Sequence, residues 1–280
     1  MDSTHDGAPA ALVALLDAAH AAADAAAPVT LGGFRAGLEV EDKSAGGAPA
    51  GTFDPVTRAD REAEAAIRDA LAARFPDVGF TGEESAGTGP ARADGTDRRW
   101  VVDPIDGTRA YVAGIPVWGT LVALVEAGEP VLGLLDQPYL GERFVGHPGG
   151  AVLHARGTRR ELRARAGRRL EAAVLCATAP EMFDPAERAA FERVARAALT
   201  VRWGTDCYGY AMLAAGAVDA VVEAGLAPWD VAALVPIVRG AGGVVTDWRG
   251  GPAFGSTAVA ASGSAALHEE VLARLAAGTG

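Results

Sequence analysis

The sequence predicts a mixed α/β fold in one domain, and three observations carry that reading. Apolar residues recur at helical spacing in Leu12 to Ala26, Ala59 to Arg74 and Pro185 to Ala198, each introduced or ended by Pro or a small polar residue. Short strand-like runs lie between and after them. The arrangement changes near residue 170: before it the runs follow one another closely, and after it they alternate with helical segments.

Taken in order, the first helical segment is Ala-rich but interrupted by Asp17, His20 and Asp24, so it reads as a surface helix and not as a cleaved leader. Val78 to Thr81, Trp100 to Val102, Thr120 to Val125, Pro130 to Leu135 and Arg143 to Val145 form the first set of strands. Turn residues at Glu126-Ala-Gly and Tyr139-Leu-Gly make the last three an antiparallel meander. The later strands are Ala173 to Cys176, Ala220 to Glu223, Val244 to Trp248 and Thr257 to Ala261. The small-residue stretches Ser44 to Gly51 and Gly87 to Asp97 are loops inside the unit, each beside an acidic motif. With no repeat and no long linker, residues 1–280 are expected to fold as a single domain.

Composition narrows the function. A chain of 280 residues, 50% hydrophobic, buries a substantial core. The uncharged run Ala110 to Val125 contains Gly114, Pro116 and Gly119 and falls short of the roughly 20 apolar residues of a membrane span. Cys176 and Cys207 make neither a disulfide framework nor a zinc pattern, which fits a reducing cytoplasm. A formal charge of −11 disfavours nucleic acid and anionic lipid as partners. The Arg-rich stretch Arg156 to Arg169 is the exception, and it reads as a solvated face.

Three acidic segments carry the chemistry. In Trp100-Val-Val-Asp-Pro-Ile-Asp-Gly-Thr108 a buried strand runs into a turn with two carboxylates, Asp103 and Asp106. Pro104 shapes the turn, and Gly107 and Thr108 offer open backbone N–H groups to an anion. An ordinary Asp-Pro and Asp-Gly turn is the alternative. A second acidic pair, Glu83 and Glu84, ends the preceding strand, where adjacent like charges call for a cation. In Pro228-Trp229-Asp230 the Asp sits at a helix start, which suits a ligand or a helix cap.

Together these segments resemble the inositol monophosphatase family of magnesium-dependent phosphatases. Gly-Glu-Glu, Asp-Pro-Ile-Asp-Gly-Thr and Trp-Asp-Val-Ala-Ala occur in the family's order, and the resemblance runs from about Leu12 to Ala276. It implies a layered α-β-α-β-α sandwich, usually dimeric, with metal loops mainly in 54–110 and the last ligand and the substrate-reading residues in 173–230. It also implies two to three Mg2+ ions per site. Glu83, Asp103 and the Ile105 carbonyl would hold one, and Asp103, Asp106 and Asp230 a second. Gly107 and Thr108 would meet phosphate oxygens, with the Thr108 hydroxyl near the attacking water. Asp60, in Phe53-Asp-Pro-Val-Thr-Arg-Ala-Asp, would pair with that threonine and help hold a third ion. Lys43, the only lysine among the 25 basic residues, matches the basic residue of the family's mobile first loop.

The substrate side resembles the family's histidinol-phosphatase branch, in Gly-Thr-Asp206-Cys-Tyr and in Thr178-Ala-Pro-Glu-Met-Phe183. Asp206 would give the ammonium group of histidinol phosphate a charge-assisted hydrogen bond; the alternative is that it caps the helix beginning near Cys207. Glu223 implies a substrate role in either branch. Tyr208, Tyr210 and Met212 read as core, and His147, His154 and His268 as structural. The competing substrates are inositol phosphate, fructose bisphosphate and adenosine bisphosphate, and the competing class is a non-catalytic partner of RNA or the transcription machinery.

Overall fold

The computed structural model describes residues 10–37, 40–42, 55–85 and 98–277. Lys43, both Gly-rich loops and the start of the segment leading to Asp60 lie outside the described residues. The elements run α1 (Ala10–Gly33), β1 (Val40–Asp42), β2 (Pro55–Thr57), α2 (Arg58–Arg74), β3 (Gly79–Gly82), β4 (Arg98–Asp106), α3 (Thr108–Val112), β5 (Gly119–Glu126), β6 (Glu129–Gln137), β7 (Glu142–His147), β8 (Gly150–Ala155) and β9 (Thr158–Glu161). The second half adds β10 (Val174–Ala177), α4 (Pro185–Ala195), β11 (Thr200–Trp203), α5 (Asp206–Ala214), β12 (Ala220–Glu223), α6 (Pro228–Ala232), α7 (Leu234–Gly240), β13 (Val244–Asp247), β14 (Val259–Ser262) and α8 (Ala265–Ala276).

A seven-stranded sheet takes the order β3 to β9 and is antiparallel except where β3 runs parallel to β4. A five-stranded sheet has the order β11-β10-β12-β14-β13, and β1 pairs with β2 alone. Strand alternation decides what each sheet face meets. Trp100 and Val102 of β4 pack with Leu16, Ala19 and Ile67 of α1 and α2. Val101, one residue out of phase, joins the core around α5, α6 and α7, which also takes Val221 and Ala261 from the inner face of the second sheet. The outer face of that sheet packs on α4 and α8 through Leu175, Val222, Phe191 and Val271. The layers are therefore α-β-α-β-α, as the resemblance implies.

The middle helical layer approaches the sheet closely because two strand positions lack a side chain. A Cβ on Gly133 of β6 would lie 2.0 Å from the Ala233 carbonyl oxygen, and one on Gly146 of β7 would lie 2.4 Å from the Ile237 Cα. Only glycine admits backbone contact at these points, and that contact seats α6 and α7 against the strands.

The first helix departs from the surface helix expected. It continues through Pro28 to Gly33, and Leu16, Ala18, Ala19, Ala22, Ala23 and Ala26 are buried. Proline loses one intrahelical bond, but the last turn is held elsewhere, for the Tyr111 hydroxyl donates to the Thr30 carbonyl at 2.7 Å. Among the described residues α1 is the one helix whose length and hydropathy would suit a membrane span, and its alanine face packs on α2 and the sheet.

Strands β8, β9 and β11 and helices α7 and α8 had no counterpart in the sequence reading. The β8–β9 hairpin turns on Arg156-Gly157, both at positive φ (51° and 76°), a two-residue turn that sequence rules look for as Asn-Gly or Asp-Gly. β9 is fully exposed, and its arginines suit an edge strand that must not pair with another chain. His268 is structural as read: buried, it bonds the Thr246 and Ser262 hydroxyls.

Candidate active site

The period-two alternation of β4 brings Asp103 onto the same face as Val101, toward the helical layer. The register with β5 then slips between Asp103 and Asp106, a bulge that turns the chain and returns Asp106 beside Asp103. Thr120 pins the bulge by donating to the Pro104 carbonyl at 2.8 Å, and the Ile105 N–H closes onto Asp103 Oδ1 at 2.9 Å.

Asp230, third residue of α6, completes the cluster. It accepts the Ala227 N–H at 2.8 Å, so it is a helix-capping carboxylate as well as a member of the site. Carboxylate oxygens of Asp103, Asp106 and Asp230 lie within 4.8 Å of one another. Parallel pairing of β3 with β4 sets Gly82 opposite Val102 and brings Glu83 alongside, its N–H donating to the Val102 carbonyl at 3.2 Å.

Burial, and then the charges of Glu83, Asp106 and Asp230, push the Asp103 carboxyl far above the usual carboxylate range. Burial, Asp230 and Asp206 do the same to Asp106, opposed by the Cys207 N–H, which donates to it at 2.8 Å. Crowded oxygen ligands of one sign, raised in pKa by each other, are the donor set of a hard divalent cation. The residues present therefore fit one.

Asp60 lies below this cluster, buried, with burial as the main cause of its raised pKa and Glu83 adding to it. Its carboxylate accepts from the Thr57 N–H and hydroxyl at 2.8 and 2.6 Å and caps α2. Thr108 donates its hydroxyl to the Ile105 carbonyl at 3.0 Å. The expected Asp60–Thr108 pair is thus replaced here by a nearer partner for each. Gly107 caps α3 at φ 81°, and a Cβ there would meet Asp206 Cβ at 3.0 Å. Glycine is required both for the turn and for the contact.

On the substrate side, a cleft of about 470 Å³ runs from the carboxylate cluster to Asp206, Glu223 and Thr178. Asp206 opens α5 at φ 45°, a left-handed conformation costing about 1–2 kcal/mol for a residue with a side chain. The helix cap is Thr205, so Asp206 does not fill that role. Burial raises its carboxyl to about 6, with Arg109 pulling the other way. Glu223, buried at the end of β12, accepts the Thr178 hydroxyl and is raised to about 7, chiefly by burial.

Four participants escaped the sequence reading. Glu64, buried on α2, accepts the Glu84 N–H at 2.7 Å and pairs with Arg68, holding the Glu83–Glu84 turn from beneath. A Cβ on Gly82 would fall 2.3 Å from its carboxylate. Its signal was present: Glu64 shares the buried helical stripe of Ala63, Ile67 and Leu71. Tyr210, read as core, is buried but lines the cleft beside Glu223, its hydroxyl not aligned for a hydrogen bond among the described residues. Arg109 and Glu181 pair at 3.1 Å between α3 and the segment after β10, which only the tertiary fold brings together. Tyr208, in contrast, packs away from the cleft and donates to Glu142 at 2.6 Å.

This crowding has a measurable sign. Carboxyls raised in the folded state hold protons that the unfolded chain has already released, so folding stability falls as pH rises from the unfolded value near 4 through the folded values near 6 and 7. Chelator-treated protein should lose roughly 5 °C of Tm between pH 5 and 8. Restoring a divalent cation should raise Tm more at pH 8 than at pH 5, and equal gains at both would contradict an electrostatic cluster.

Stacked sheets, with strand-end carboxylates crowded for cations beside a cleft, define a layered α/β protein with a candidate cation-assisted active site. The chain belongs to the inositol monophosphatase family, whose family model matches residues 12–278. It is a phosphoric monoester hydrolase. It is 39% identical over 275 residues to a histidinol-phosphatase of Streptomyces coelicolor, covering 92% of this chain and 95% of that protein. It is 37% identical over 268 residues to the bifunctional phosphatase IMPL2, chloroplastic, of Arabidopsis thaliana, covering 91% of this chain and 73% of that one. A solved inositol monophosphatase from Zymomonas mobilis superposes with a TM-score of 0.82 at 38% identity, over 95% of this chain and 99% of the other.

Proposed function

We propose that this enzyme is a magnesium-dependent histidinol-phosphate phosphatase of histidine biosynthesis, a cytoplasmic homodimer that releases phosphate by direct attack of water. The observation that carries the substrate is Asp206. It is a carboxylate held in a strained left-handed backbone on the cleft wall, where it caps no helix and faces the phosphate loop at Gly107. Strain at a cleft residue is retained where the side chain has work there. The histidinol-phosphatase relatives support the same reading.

Glu83, Asp103, Asp106, Asp230 and the Ile105 carbonyl would hold two magnesium ions, and Asp60 a weaker third. Ions bound there acidify water and neutralise charge on the phosphoryl oxygens. The chain supplies the rest. The Cys207 N–H fixes Asp106, and the Ile105 N–H fixes Asp103, so the ligands are set before substrate arrives. Gly107 and Thr108, at the open end of α3, receive phosphate oxygens through N–H groups that have no acceptor within the helix. Thr108 turns its hydroxyl from the Ile105 carbonyl to orient the attacking water. On the cleft wall beside Gly107, Asp206 takes the substrate ammonium, and Glu223, oriented by Thr178, takes a further polar group.

The test is phosphate release from histidinol phosphate, inositol phosphate, fructose bisphosphate and adenosine bisphosphate with magnesium. Histidinol phosphate should have the highest kcat/KM. If another ester leads, the substrate assignment fails while the phosphatase stands.

A further inference from the structure

A second cleft, of about 560 Å³, lies where β7, β8 and β9 extend beyond α1, and it shares no lining residue with the active-site cleft. Its size is within the usual range for small-molecule sites, about 300–1,000 Å³. Its chemistry is the reverse of the active site's: imidazoles of His20, His147 and His154 and guanidiniums of Arg159 and Arg163, against one carboxylate, Glu161.

Register explains the concentration. Arg143, His154 and Arg159 pair across β7, β8 and β9, and their side chains share the sheet face on which α1 brings His20 into edge contact with His154 at 5.4 Å. Arg143 is engaged by Asp136 and Asp24, and Glu161 pairs with Arg163 at 3.0 Å. Among the described residues Arg159 forms no ion pair. The His20 Nδ1 accepts from Arg143 at 3.1 Å and the His147 Nδ1 from the Gly149 N–H at 3.0 Å, so each ring carries its proton on Nε2 as a donor. The Arg-rich stretch noted in the sequence is thus divided. Arg165 and Arg169 serve the fold through Asp219 and Glu270, while Arg159 and Arg163 line a cavity.

We propose that this cleft is a second anion site that binds a phosphate group, free or carried on a small organic molecule, through Arg159, Arg163 and the surrounding histidines. Guanidinium and imidazole donors around a concave wall are the recognition set for a tetrahedral oxyanion. The local positive charge, on a chain of net charge −11, selects for such a ligand.

The His147 and His154 ring resonances of the magnesium-loaded full chain report this cleft, because among the described residues no histidine lines the active-site cleft. Inorganic phosphate and an alkylphosphonate, whose C–P bond is not hydrolysed, are titrated at constant pH and ionic strength. Saturable shifts of the His147 and His154 rings are expected, weakened at least about tenfold in Arg159→Ser/Arg163→Ser, with turnover unchanged. Tighter binding of the phosphonate identifies an organic phosphate as the occupant, and equal binding identifies free phosphate. Rings that do not shift, shift without saturating, or shift alike in the double variant overturn the proposal.

Discussion

Asp103→Asn is expected to lose at least about 10³-fold in kcat/KM while making the cation-free protein more stable. The loss follows from its place in the cluster: Asp103 lies against Glu83, Asp106 and Asp230, so removing its charge disturbs every ion the site holds. Metal stabilisation of a phosphoryl transition state is worth several kcal/mol, and each 1.4 kcal/mol is about tenfold in rate. The gain in stability has the opposite origin. In the folded protein without cations Asp103 is buried among like charges, and asparagine keeps the Oδ1 that accepts the Ile105 N–H without the charge. Asp60→Asn should lose less activity, since Asp60 is engaged by Thr57 at the margin of the cluster. Activity is read in excess magnesium, and Tm after chelation. Wild-type activity in Asp103→Asn would remove the metal site, and a lowered Tm in its chelated form would attribute the activity loss to misfolding.

Asp206→Ala is expected to shift the ratio of kcat/KM for histidinol phosphate over inositol phosphate by roughly ten- to 150-fold. A hydrogen bond to a charged group is worth about 1.5–3 kcal/mol, and the ammonium of the aminated substrate gains more from it than a hydroxyl does. KM for histidinol phosphate should rise, and hydrolysis of inositol phosphate should stay level or improve as a negative charge leaves the cleft. Relief of the φ 45° backbone is not obtained by alanine, so stability is a poor readout and the substrate ratio is the informative one. An unchanged ratio would assign Asp206 to the architecture of the turn around Gly107 and leave the phosphatase assignment intact.

Much of the candidate site was legible because its carboxylates come from short local signals. Asp103 and Asp106 lie in one turn, Glu83 ends the strand before it, and Asp230 begins a helix, each recognisable from residues within a few positions. The supporting groups were not legible in the same way. The Cys207 N–H reaches Asp106 across 101 residues, and Arg109 meets Glu181 across 72, separations that no local pattern encodes. Tyr210 looked like core because it is buried, and burial in a cleft floor has the same apolar signature as burial in a core. β9 was missed because an exposed edge strand carries arginine where period-two hydrophobicity would mark a buried one.

By itself the sequence determined the fold class, the family and the acidic residues that could bind cations, since alternation, helical spacing and strand-end turns are written in neighbouring residues. Tertiary structure alone decided which of those carboxylates share a site and at what pKa. It also decided that Asp206 lies against Gly107 and does not cap a helix, and that part of an arginine run lines a cavity. The physical reason is that electrostatic coupling and solvent exclusion depend on distance in space. The stacking of two sheets around the middle helices sets those distances, and backbone contact at Gly133 and Gly146 fixes how closely the layers approach.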